Sequence, residues 1–95
     1  MLFLGIDVGT GGSRAVLIDE TGTVVASHAT EHVPFQSKFP GWAEQDPEDW
    51  WRASQESIRT VLSVAACKPE DIAAVGLTGQ MHGAVLLDSD GQVLR

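Results

Sequence analysis

Asp7 closes an apolar run and stands immediately before a glycine-rich turn, Gly9-Thr10-Gly11-Gly12-Ser13. Closely spaced backbone amides and two hydroxyls in such a turn suit the oxygens of a phosphate, and Arg14 can add a charge-assisted contact. A carboxylate beside a phosphate cradle makes chemical sense when a divalent cation bridges the two. The spacing is not that of a Walker loop, because no Gly-Lys-Ser/Thr follows. It is not a dinucleotide fingerprint either, because a strand rather than a helix comes next. A Gly-rich hairpin turn can be purely structural, and the acid in front of it is what points to a site.

Two further segments carry polar chemistry. Gly79-Gln80-Met81-His82-Gly83 follows a short apolar strand, and the carboxyl ends of parallel strands are where ligands sit in open α/β sheets. Gln80 and His82 can each donate and accept, as recognition of neighbouring sugar hydroxyls requires, and Met81 offers a soft apolar wall. Phe39-Pro40-Gly41-Trp42-Ala43-Glu44-Gln45-Asp46-Pro47 sets an aromatic, Trp42, beside hydrogen-bonding Glu44 and Gln45, a common sugar-facing arrangement. His28 and His32 share a strand face, and without a third ligand they read as solvent-facing rather than metal-binding.

The elements that must position these residues follow from periodicity. In Leu2–Gly9, alternation puts Leu2, Leu4, Ile6 and Val8 on one face and Phe3, Gly5, Asp7 and Gly9 on the other. A carboxylate at Asp7, in such a strand, is expected to lose several kcal/mol of hydration unless a cation or donors compensate. Arg14–Asp19 reads as a second strand, and Glu20-Thr21-Gly22 turns it into a third from Thr23 to His28, extending toward Val33. Asp46-Pro47-Glu48-Asp49 starts a helix with a cap, a proline at the first position and acids in the first turn. The helix runs to about Ala65, with Trp51, Ser54, Ile58, Val61, Leu62 and Ala65 facing inward and both Trp50 and Trp51 in the core. Lys68-Pro69-Glu70-Asp71 breaks it. Ile72–Thr78 then reads as a buried strand and Ala84–Asp88 as another. Leu17–Val25 and Leu86–Leu94 echo each other, as two hairpins obeying one turn chemistry do.

The 95 residues carry a net charge of −7, which argues against nucleic acid or an anionic membrane as partner. An apolar fraction of 43% fits a folded domain. Lone Cys67 can form no internal disulfide, no leader pattern opens the chain, and no run approaches the ~20 apolar residues of a membrane span. A cytoplasmic protein is expected. The final hairpin has barely returned at Arg95, so the chain reads as part of something longer. Its open sheet edge is where a second copy could pair as a homodimer.

Gly5-Ile6-Asp7-Val8-Gly9-Thr10-Gly11-Gly12-Ser13-Arg14, with Pro40–Pro47 and Gly79–Gly83, resembles the amino-terminal part of the FGGY carbohydrate kinases over essentially the whole chain. The resemblance implies an α/β, actin-like ATPase fold with an RNase H-like mixed sheet, incomplete in this chain: an antiparallel three-strand meander, a crossover helix and a parallel strand. It implies residues 1–95 of a first kinase domain, the rest of that domain and a second one lying beyond. Asp7 would then act on the Mg²⁺–ATP side, and Thr10, Gly11, Gly12, Ser13 and Arg14 would lie near the transferring phosphate. Family members often have Thr or Ser where this chain has Gly11 and Gly12, so amide contacts carry over there and hydroxyl contacts do not. Met81 and His82 would contact the sugar. Glycerol-specific members carry Arg-Glu at those two positions, so the pair points to a ketopentose, D-xylulose. The general base of the family is an aspartate beyond Arg95, which leaves no catalytic residue in this chain and implies that it is inactive alone. Another FGGY kinase, acting on glycerol, ribulose, gluconate or a similar acceptor, is the nearest alternative, and a non-catalytic module that kept the actin-like strands is the alternative of another class.

Overall fold

The computed structural model describes residues 1–95. Strands β1 (Leu2–Val8), β2 (Gly12–Asp19) and β3 (Val24–Glu31) form a meander. Helix α1 (Pro47–Val64) crosses over, a single 3₁₀ turn follows at Pro69–Asp71, and β4 (Ile72–Thr78) returns. The sheet order is β3-β2-β1-β4, with β1 antiparallel to β2 and parallel to β4. The mixed α/β sheet read from the sequence is the one observed.

One face of this sheet is covered and the other is open. Leu4, Ala15, Leu17 and Ala26 meet Val61 of α1 in the core, with Ile6, Ile58, Leu62 and Ile72 packed around them. The faces of β1 divide as alternation requires, so Asp7 belongs to the open face. There it is exposed and keeps its hydration, so in this chain the cost of burying a carboxylate does not arise. The radius of gyration, 15.3 Å, exceeds the roughly 13 Å of a compact chain of this length.

Partial cover explains the departures from the sequence reading. Helix α1 lies over β2 and β3, leaving edge strand β4 uncovered, so the strand expected to be buried exposes Val75 and, at 78%, Leu77. The inner face of the helix is Ala53, Ser54, Ser57 and Val61. Trp51 is turned out, 59% exposed, and Trp50 is half-buried. Steps of four, three and four residues from Trp50 reach Ser54, Ser57 and Val61, a stripe that Trp51 misses by one position. His28 and His32 do share a face, but it is the helix-facing one, and His32 is buried. Ala84–Asp88 forms no strand: a single bridge, Leu87 to Val93, joins the two arms of that hairpin.

Local chemistry fixes the turns and the helix ends. Asp19 Oδ1 accepts from the Thr21 and Thr23 amides at 2.9 and 3.0 Å, and Asp88 Oδ1 accepts from those of Asp90 and Gln92, both at 2.9 Å. Gly22 and Gly91 complete the two turns at φ of 85° and 79°. The echo is thus one turn device used twice, and hydrogen bonds from Thr21 and Thr23 hold Asp19 below the usual carboxylate range. Asp46 caps α1 by accepting from the Glu48 amide at 3.0 Å, with Pro47 at the first position. Asp49 accepts from Arg52 at 2.7 Å and from the Val33 amide at 2.7 Å, tying the helix start to the exit of β3. Both bonds, Arg52 first, keep Asp49 below the usual carboxylate range.

Candidate functional site

The β1–β2 connection, Gly9 to Gly11, is closed where Gly9 N donates to Gly12 O at 2.9 Å, with Thr10 and Gly11 at its tip. The amides of its tip residues, Thr10 and Gly11, donate to no backbone acceptor, so two N–H groups side by side are free for an anion. Gly12 is required by space. A Cβ there would sit 2.6 Å from the Thr30 carbonyl oxygen, whereas a Cβ on Gly11 would meet nothing within 4 Å.

Behind the loop lies a polar layer that sequence reasoning missed. Ser13 is fully buried and its Oγ lies 2.8 Å from His32 Nε2, so its hydroxyl serves the interior and is not turned to a phosphate. The His32 amide donates to Gly11 O at 2.9 Å, and His32 Nδ1 lies 3.4 Å from Thr10 O. A carbonyl can only accept, so the tautomer that fits donates from Nδ1 and accepts the Ser13 proton at Nε2. Ser57 on α1 donates to Ser13 O at 2.8 Å, and the Ser57 and Thr30 hydroxyls are 2.8 Å apart. No buried side-chain polar atom is left without a partner. The serines spaced at 54 and 57 on an otherwise apolar helix face were the available signal.

On the open face, Asp7 lines up with Arg14 of β2 and Thr78 of β4 in one cross-strand row. Arg14 makes no ion pair with Asp7; its Nη1 donates to Ser27 Oγ at 3.0 Å instead. No group of three or more His, Cys, Asp or Glu side chains is arranged to hold a metal. A cation at Asp7 would therefore take one protein carboxylate and complete its shell with phosphate and water. Mg²⁺ binds in that way, so the residues fit it.

A cleft of about 680 Å³ opens beside the loop, within the usual range for small-molecule sites. Thr10, Trp42, Gln80 and His82 line it together. Trp42 is held by Phe39, edge-to-face at 4.7 Å, and by the Arg95 guanidinium 4.5 Å from its ring centre. Arg95 in turn pairs with Glu44 at 2.9 Å. Met81 is not brought into this cleft and is 89% exposed. Asp7 and Arg14 also lie outside it, on the sheet face. Gln45 also lines the cleft, and its amide is engaged within the chain: Nε2 donates to Thr10 O at 2.7 Å, and Oε1 accepts from Trp50 Nε1 and Gln80 Nε2 at 3.0 and 3.1 Å. Gln80 Nε2 also reaches Gly9 O at 3.3 Å. A larger hollow of about 870 Å³ between the Val33–Lys38 segment and the start of α1 is lined by charged groups, among them the paired Asp49 and Arg52; of the candidate residues it gathers Glu44 and Gln45, and none of Asp7, Thr10, Trp42, Gln80 and His82.

Known proteins resemble this chain over nearly its whole length. The model of the amino-terminal domain of the FGGY family of carbohydrate kinases matches residues 2–95. A xylulose kinase of Klebsiella pneumoniae is 44% identical over 94 residues, covering 99% of this chain and 19% of the relative. One of Escherichia coli is 42% identical over the same length. The crystal structure of a xylulose kinase from Brucella ovis superposes with a TM-score of 0.93 at 40% identity, covering all of this chain and 20% of that one. The chain thus spans about a fifth of the length of the relatives it matches. With a family model matched from the second residue to the last, the chain belongs to the FGGY family of carbohydrate kinases.

Proposed function

We propose that the longer protein to which this chain corresponds transfers a phosphate from Mg²⁺-ATP to the 5-hydroxyl of D-xylulose, in the cytoplasm. The observation that carries the reading is the adjacency of two free amides, at Thr10 and Gly11, to a cleft lined by Trp42, Gln80 and His82. Phosphoryl transfer needs positioning and charge stabilisation more than covalent chemistry. The Thr10–Gly11–Gly12 backbone would hold phosphate oxygens, and Asp7 would hold Mg²⁺, which neutralises charge on the transferring group. Arg14 would join them by leaving Ser27. Trp42 and His82 would hold the sugar, with the free oxygen of Gln80 as a further acceptor. The general base is assigned to residues beyond Arg95, and the 95-residue chain alone is assigned no turnover. Similarity to xylulose kinases over nearly the whole chain supports the ketopentose.

The test is a substrate panel with the longer protein. D-xylulose is expected to outpace glycerol, ribulose and gluconate, and Asp7→Asn to abolish transfer while leaving the thermal midpoint unchanged, because Asp7 is exposed and unpaired. Glycerol outpacing xylulose would overturn the substrate. An Asp7→Asn protein with full activity would overturn the role of Asp7.

A further inference from the structure

We infer that Gln45 is a positioning residue that locks the phosphate-side loop and the cleft-side loop into one register. It is not the sugar contact that its place beside Trp42 suggests. The inference rests on the proposed kinase reading for its kinetics but on geometry for its substance. One side-chain amide joins three segments far apart in sequence. Its Nε2 holds the carbonyl of Thr10, and its Oε1 holds the indole N–H of Trp50 on α1 and the amide of Gln80 after β4.

The orientation of that amide is determined by its neighbours. The Trp50 indole can only donate, so the atom facing it is Oε1. The Thr10 carbonyl can only accept, so the atom facing it is Nε2. Gln80 then donates to Gln45 Oε1 and to Gly9 O from the same nitrogen, bringing the loop before His82 against the residue that opens the glycine turn. Each recorded bond of the group sets a donor against an acceptor, and a flipped Gln45 amide would set donor against donor and acceptor against acceptor.

A planar trans peptide makes this bracing functional. The C=O of Thr10 and the N–H of Gly11 belong to one rigid unit and point in opposite directions. Holding the carbonyl at 2.7 Å from Gln45 therefore aims the Gly11 N–H away from Gln45, as a free donor at the loop tip. His32 approaches the same carbonyl at 3.4 Å, so Gln45 makes the shorter bond. Without Gln45 the peptide can rotate, and the Gly79–Gly83 segment loses its tether at the same time. Both substrates should then be misplaced together.

The experiment uses the longer protein with ATP and the best acceptor of the panel. Gln45→Glu keeps size and the acceptor for Trp50 but sets an oxygen against the Thr10 carbonyl. Gln45→Met keeps length with no hydrogen bond, and Trp50→Phe removes only the indole donor. The expected result is a fall in kcat/KM of roughly 10- to 100-fold for ATP and for the acceptor alike in both Gln45 variants, with a smaller fall in Trp50→Phe. A purely structural role would lower the active fraction and leave both KM values unchanged, which overturns the inference. A change confined to the acceptor KM makes Gln45 a sugar contact and overturns it too. Hydrogen exchange of segments 9–13 and 79–83 gives a readout independent of activity. Faster exchange in both segments of Gln45→Met supports the brace, and unchanged exchange overturns it, even if the wild-type protein phosphorylates none of the panel and the kinase reading itself falls.

Discussion

Gly12 and Gly11 are adjacent, and the structure assigns them opposite roles that two alanine substitutions separate. A Cβ on residue 12 would lie 2.6 Å from Thr30 O, 3.3 Å from Thr30 C and 3.4 Å from Glu31 Cα, all backbone atoms. An unstrained carbon–oxygen contact is about 3.3 Å or more, so β3 would have to retreat by roughly 0.7 Å from its 2.6 Å approach. Overpacking of this kind costs about 1–3 kcal/mol, and a weakened ladder bond adds about 1 kcal/mol. Reduced freedom of the unfolded chain returns only about 0.4–1 kcal/mol. The clash wins, and Gly12→Ala should destabilise this sheet by about 2 kcal/mol. At residue 11 nothing lies within 4 Å and φ is outside the left-handed region, so Gly11→Ala should change stability by less than about 0.5 kcal/mol. A phosphate held by the free amides would meet the added methyl, however, and the KM for ATP should rise. Native-state hydrogen exchange of β2 and β3 in the longer protein reads the first effect, as a rise of about 30-fold for 2 kcal/mol. Steady-state kinetics reads the second. Equal exchange in the two variants would refute the steric argument, and an unaltered KM for ATP in Gly11→Ala would refute close approach of phosphate at the loop tip.

Two further outcomes test the parts behind the site. Ser57→Ala leaves the Thr30 hydroxyl without its partner in a buried layer and should cost about 1–3 kcal/mol; adding Thr30→Val should recover part of that loss, whereas strict additivity in denaturant midpoints would show that the two hydroxyls act independently. Asp49 titrates below the usual carboxylate range when folded, so its contribution to stability is fully present above the unfolded value and fades as pH falls through the folded one. Wild type should be more stable than Asp49→Asn at pH 7, and the two should converge below about pH 4; a difference in thermal midpoint that persists at pH 2 would count against the bonds to Arg52 and Val33.

Legibility in the sequence followed the range of the forces involved. Strand alternation, the Asp46-Pro47 cap and the Asp-x-x-Gly turns are local, and Asp46, Asp19 and Asp88 all do what their neighbours imply. Burial of β4 was misjudged because an apolar strand needs a partner layer, and α1 covers only the β2–β3 side. Trp51 was misplaced by one helical position: the inner face includes polar Ser57, buried through a tertiary bond to Ser13 O, whereas Ser54 bonds back within the helix to Trp50 O. Gln45 was read by the company it keeps in sequence, next to Trp42. Its bonds run to residues 10, 50 and 80, and two of those partners lie 35 positions away. A tryptophan whose half-buried indole N–H needs an acceptor, five residues after a glutamine, was the one local hint.

Electrostatics decides how such a site could hold an anion at all. The chain has 13 acids against six Lys and Arg, and the cations nearest the site are engaged: Arg14 with Ser27, Arg52 with Asp49 and Glu56, Arg95 with Glu44. A phosphate charge about 5 Å from the Asp7 carboxylate would be repelled by about 3 kcal/mol at an effective dielectric constant of 20. Hydrogen bonds to a charged group contribute about 1.5–3 kcal/mol each, so the two loop amides do little more than cancel that repulsion. On the proposed reading, a divalent cation at Asp7 would reverse that sign and make an unpaired acid of the open face a ligand instead of an obstacle. The loop amides would then supply direction and the metal affinity, which would let an acid precede a phosphate cradle in a chain this negative.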